Sequence, residues 1–246
     1  MKVIAALIAL VFLLTACMPA KISSPSDWQI WFRGYSCEGW DLCGEGGEGQ
    51  NPKSSYFSIN SDGTALEPVE ISSIPTPQLP DSVPPLPDGY ATVPQVSPDK
   101  SMLTYGAREN GIFGLYLVDN QTGHAMKLYQ TETIENHLFW IGTACWSPDG
   151  QSIDFMLHSR AGMDNQAPVM YRIDWDGSHL QALYSFPGLE NAWFGTCSPD
   201  GQEIVLSLPG SPKIEENGLY LINRTTGKMK QILSGYSAVT VWPQNK

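Results

Sequence analysis

Lysine and arginine are scarce in this 246-residue chain: 14 of them stand against 25 aspartate and glutamate residues, a formal net charge of −11. A surface of that sign repels phosphate backbones and anionic headgroups, so nucleic acid is not an expected partner. Long apolar runs are also lacking. The one unbroken stretch, Val3 to Leu14, has twelve residues, short of the about 20 that a spanning helix needs. No G-x-S-x-G elbow occurs, which removes the serine-peptidase chemistry such an elbow would mark. Close cysteine pairs and histidines at metal spacing are missing too, so the reading assigns no metal and no cofactor. "GEGQNPKS", Gly47 to Ser54, is one letter from a phosphate-binding loop, but Pro52 stands where the second glycine belongs. It leads into the strand pattern "SYFSIN" instead of the helix a phosphate site requires.

What is present begins with an export pattern. Met1-Lys2 supplies one positive charge, the apolar run follows, and it ends in "LTAC", Leu14 to Cys17. A run of this length suits the core of a secretory signal. The ending resembles the lipobox of bacterial lipoproteins. That resemblance implies a signal peptide at 1–16, a lipidated Cys17 (palmitate among its acyl chains) and a tether at 17–23. Membrane contact is then by the lipid anchor alone. Met18 after the cysteine implies the outer membrane, facing the periplasm, if the host is Gram-negative. Four further cysteines, Cys37, Cys43, Cys145 and Cys197, suit two disulfides in an exported chain, with three possible connectivities. Cys37 and Cys43 enclose only "EGWDL" and are the natural local pair. A bridge between Cys145 and Cys197 depends on side-chain direction.

The chain also repeats itself. "SPDGQSIDF" from Ser147 recurs as "SPDGQEIVL" from Ser198, and the same frame fits "SPDKSMLTY" from Ser97 and "SPSDWQIWF" from Ser24. After each turn-forming stretch comes a period-two alternation: Ile30 and Phe32, Leu103 and Tyr105, Ile153 and Phe155, Ile204 and Leu206. Alternation of this kind predicts half-buried strands. A second echo, "GLYLVDNQTG" from Gly114 and "GLYLINRTTG" from Gly218, predicts a strand closing on a left-handed glycine and a hairpin return. The unit is therefore four strands in about 50 residues, the pattern of a propeller blade.

These residues, with W-S-P-D-G complete at Trp146 to Gly150, resemble the TolB-like, WD-like β-propeller repeat family. The expectation is an all-β propeller over 24–246, with blades at 24–73 plus 238–246, 91–136, 141–190 and 194–237. A proline-rich linker would occupy 74–90. Blade one is short of an innermost strand and "AVTVWPQNK" has no blade of its own, so the C-terminal strand should close blade one.

In such a blade the SPDG and DG turns fall on one face of the ring, and the longer connections on the other. The repeated letters build turns, so the loop face is where a site is expected. Its connections are read as Cys37–Ser55, Gly106–Gly111, Ser159–Ala167 and Pro209–Asn217. "NHLFWIGTACW" and "ENAWFGTC" place Trp140 and Trp193 at equivalent spots near the rim. Asn136, His137 and Asn191 stand beside them as candidate binding residues. His137 and His158 both head toward that face without a carboxylate at fixed spacing. The aromatic rings serve equally for packing between blades. The function expected is a non-enzymatic envelope lipoprotein, a protein-binding or scaffold propeller. A propeller that binds a glycan or small ligand, or an enzyme whose site is assembled from several loops, are the alternatives.

Overall fold

The computed structural model describes residues 28–36, 55–70, 72, 92, 94–132, 134–162, 164–190, 192–208 and 213–244. Cys17, Cys37, Cys43, Asn191, the tether and the proline-rich linker lie outside the described residues. Blade one holds β1 (Gln29–Ser36), β2 (Ser55–Asn60) and β3 (Glu67–Val69). Blade two holds β4 (Gln95–Val96), β5 (Met102–Glu109), β6 (Ile112–Asp119) and β7 (Ala125–Gln130). Blade three holds β8 (His137–Trp146), β9 (Ser152–Ala161), β11 (Val169–Asp174) and β12 (Gln181–Ser185), with the short β10 (Asp164–Asn165) on the end of β9. Blade four holds β13 (Trp193–Cys197), β14 (Glu203–Leu208), β15 (Gly218–Asn223) and β16 (Met229–Ser234). The last strand, β17 (Tyr236–Gln244), pairs antiparallel with β1 from Gln29↔Gln244 to Ser36↔Tyr236. The C-terminal strand is thus the innermost strand of blade one, and the fold is an all-β, four-bladed propeller.

The recurring letters have a common hydrogen-bond logic. In the turn at Ser147 the serine hydroxyl donates to Asp149 Oδ1 (2.6 Å) and accepts from the Ser152 amide (2.9 Å), while Gln151 N donates to the same carboxylate oxygen. Ser198 and Asp200 repeat these bonds toward Glu203 and Gln202. Ser97 and Asp99 repeat them toward Met102 and Ser101. Each pair satisfies the amides that a two-strand reversal leaves over. The turn also needs a left-handed residue: Gly150 has φ +70° and Gly201 φ +67°, and Lys100 fills the same place at φ +63°.

Strand alternation then sorts side chains between neighbouring blades. One face of β5 and β6 carries Leu103, Tyr105, Ala107 and Val118; the other carries Leu115 and Leu117, which join Ile141, Ile153 and Phe155 of blade three. Met156 and Met170 of blade three pack with Leu206, Leu208 and Ile222 of blade four. Val205, Leu219 and Leu221 of blade four pack with Ile30, Phe32 and Ile59 of blade one. Each junction is a thin apolar layer between two sheets, as face-to-face sheet packing requires.

The third and fourth blades carry two additional ties. Cys145 and Cys197 form a disulfide between β8 and β13, 52 residues apart in sequence. Beside it Arg224, 4% exposed at the side chain, reaches from blade four to the fully buried Asp154 of blade three. Its guanidinium donates to Asp154 Oδ2 and to the carbonyls of Cys145, Trp146 and Gly201. Arg172 closes the other side of the carboxylate at 2.7 and 2.9 Å. The buried charges therefore meet their opposites and nearly all their hydrogen-bond capacity, the condition under which such a group is tolerated.

Candidate functional site

Two of the loop-face connections are tighter than the sequence predicts. Strand β5 continues to Glu109, and Asn110 and Gly111 alone make the return, both at positive φ (+50° and +84°). An Asn-Gly pair in this conformation is the preferred two-residue hairpin turn. Strand β9 likewise runs on to Ala161 and pairs with β10. The expected loops at Gly106–Gly111 and Ser159–Ala167 are mostly strand, because Ala107 and Arg108, and Ser159 and Arg160, continue the ladder.

Between blades two and three the loop face encloses a cavity of about 300 Å3 lined by Asn110, Ile112, Thr131, Glu132, His137 and Phe139, among others. His137 is exposed and its Nδ1 donates to the Glu135 carbonyl at 3.2 Å. Its ring stacks on Phe139 with centroids 6.1 Å apart. Asn136, at φ +61°, accepts from the Gly162 amide and shapes the entry to β8. Leu138 also belongs to the lining and is exposed, as is Ile134, whose carbonyl accepts from the His137 amide. The site therefore combines two stacked rings, two exposed aliphatic side chains and one carboxylate.

Trp140 is half-buried and points the other way. It stacks on His158 with centroids 5.3 Å apart and planes within 9°. His158 is 1% exposed, and neither ring nitrogen has a hydrogen-bond partner. Burial holds its pKa down at about 4, so the ring is neutral at physiological pH. Gly142 makes the approach possible, since a Cβ there would run into the imidazole. His137 shares a face of the sheet with Phe139 and with Ile141, which packs toward blade two, whereas His158 lies opposite Trp140 on the face that carries Met156 toward blade four. The two histidines do not converge, and no cluster of three or more metal-ligating side chains occurs among the described residues.

Trp140 and Trp193 also differ in register. Trp140 pairs with His158, whereas Trp193 pairs with Ser207, the counterpart of Met156. The shared Gly-Thr dipeptide suggested equivalence, but Ser147 follows Gly142 by five residues and Ser198 follows Gly195 by three. The strands start at different heights, so the two positions lie two residues apart along the ladder.

Two further cavities open on the tight-turn face. One cavity of about 420 Å3 is lined by Gln95, Val96, Trp146 and the prolines of three SPDG-type turns. A second, of about 360 Å3, adjoins it and extends past Asp99 and Asp149 to Trp175.

No protein family and no curated protein matches this sequence. Among solved structures it is similar to TolB from Acinetobacter baumannii, at 16% identity over 83% of this chain and 41% of that one, with a TM-score of 0.42. A putative TolB from Agrobacterium tumefaciens aligns at 20% identity over 76% of this chain and 58% of that one, TM-score 0.44. An oligogalacturonate lyase from Vibrio parahaemolyticus aligns at 16% over 75% and 44%, TM-score 0.38. The chain spans less than two thirds of the length of each of these structures.

Proposed function

We propose that this chain is a non-enzymatic binding or scaffold propeller of the cell envelope, anchored through lipid on Cys17, that holds a protein partner on the loop face of blades two and three. The observation that carries the reading is the cavity beside His137: stacked His137 and Phe139 rings, flanked by exposed Ile134 and Leu138. Exposed aliphatic side chains around an aromatic anchor suit a protein surface, where a few such groups supply most of the binding energy. A glycan is the second reading, favoured by the same stacked rings next to the Glu132 carboxylate. Photo-crosslinking from position 138 in native envelopes tests the proposal. A discrete protein adduct, lost on His137→Ala with Phe139→Ala, is expected; saturable protection of the position by an oligosaccharide would transfer the surface to the glycan reading. Lipid mass on the N-terminal cysteine of the purified protein tests the anchor, and its absence would remove it.

A further inference from the structure

The face built from the repeated turns has more chemistry on it than a scaffold requires. Seven large apolar side chains are exposed among the described residues, and five of them, Leu66, Val96, Trp175, Leu180 and Met229, lie in or beside turns of this face. The two cavities that open there share Pro98 and Trp146 in their linings and so adjoin, together making a groove that runs from the ring centre outward with those two rings between its halves. Its walls are rings. Pro98, Pro148 and Pro199 are exposed at the three turns, Trp146 lies at the junction, only 6% exposed and with its Nε1 donating to the Gln95 carbonyl, and Trp175 stands 42% exposed at the outer end. An exposed indole with apolar proline rings spaced along a groove offers a surface that extended, proline-containing peptides can dock against, because such segments lose little entropy on binding.

The groove also carries one sign of charge. Asp99, Asp149 and Asp200 lie in its lining, and no basic side chain does. The turn uses Oδ1 of Asp149 and Asp200 for the serine hydroxyl and an amide, so its own bonds fall on one oxygen of each carboxylate. Hydrogen bonds from Ser97 and Ser101 hold the Asp99 carboxyl at about 2, and those from Ser147 and Gln151 lower Asp149. The turn hydrogen bonds hold these three carboxylates in place, and the neighbouring basic residues Lys100 and Arg172 lie outside the lining. A chain of net charge −11 strengthens the field at its mouth.

We propose that the tight-turn face of blades two to four is a binding groove for an extended, cationic, proline-containing peptide segment, with the exposed prolines and Trp175 taking its apolar side chains and the turn aspartates its lysines or arginines. The groove lies on the opposite face from the His137 cavity and does not depend on the reading given to that cavity.

The test uses a fluorescein-labelled twelve-residue peptide of Pro-Leu-Lys repeats, with Pro-Leu-Glu and Gly-Ser-Lys repeats as comparators, and full-length protein in anisotropy titrations. The Pro-Leu-Lys peptide should bind saturably, more weakly as salt rises, and the comparators at least about tenfold less well, the factor a single hot-spot contact carries. Trp175→Ala should weaken binding by about tenfold at unchanged melting temperature. Asp149→Asn with Asp200→Asn keeps the turn acceptors and removes only charge, so it should abolish most of the salt dependence. His137→Ala should change nothing, which separates this groove from the loop-face cavity. Equal binding of all three peptides, no binding of the Pro-Leu-Lys peptide, or full binding by Trp175→Ala would overturn the proposal. Self-association in sedimentation that disappears in Trp175→Ala would assign the face to a second copy of the chain instead.

Discussion

Acidification should loosen this fold through one side chain. His158 is held at about 4 by burial, against an ordinary value of 6.5. Between those values the unfolded chain binds a proton at this position and the native chain does not, so stability falls as pH drops from about 6.5 toward 4 and levels off below. The native preference for the neutral ring costs nothing above pH 7. Evaluating the two titrations gives a loss of about 2 kcal/mol at pH 5 and about 3 kcal/mol at pH 4. The size follows from the surroundings: the ring is sealed by Trp140 on one side and Gly142 on the other, and neither nitrogen has a partner. Urea denaturation at pH 7.5, 5 and 4, on wild type and His158→Phe, isolates the contribution, because carboxylates elsewhere titrate in both. Phenylalanine keeps the stacking and has no polar atom to leave unpaired. The difference between the proteins should shift by about 2 kcal/mol toward the variant from pH 7.5 to pH 5. Parallel pH profiles, or the assigned His158 imidazole resonance titrating near 6.5, would refute the argument.

Three further outcomes follow from the same geometry. Replacing Cys145 and Cys197 together with alanine opens a loop of 52 residues and should lower stability by about 4 kcal/mol on the loop-closure account. A melting temperature insensitive to reductant would contradict it. Arg224→Met strips donors from three carbonyls and leaves Asp154 with Arg172 alone. It should cost about 3–5 kcal/mol in denaturant titration, and a loss below about 1 kcal/mol, the range of an exposed pair, would make the pair ornamental. Deleting residues 238–246 removes most of β17 and bares the inner edge of β1. The truncated chain should aggregate, and a monomer with wild-type melting by scanning calorimetry would show that closure is dispensable.

Most strands and the repeated turns were legible in the sequence, though not the far ends of β5 and β9. A serine, an aspartate two residues on and a left-handed residue after it form a closed hydrogen-bond set, and alternation at period two assigns the apolar side chains to sheet faces. Both are local, so four copies sufficed to announce blades and to give the C-terminal strand to blade one. Where a side chain goes between blades is not local. Cys145 and Cys197 meet because one faces forward from blade three and the other backward from blade four, a matter of register at two bulged strands. The same registers separate Trp140 from Trp193 and turn His158 away from His137. Arg224 reads as an ordinary turn residue, and only the placement of blade four against Asp154 buries it. Nor does a turn motif say what surrounds it. The prolines, tryptophans and aspartates of the tight face are scattered along the chain from Pro98 to Gly201, and only the ring brings them to one groove.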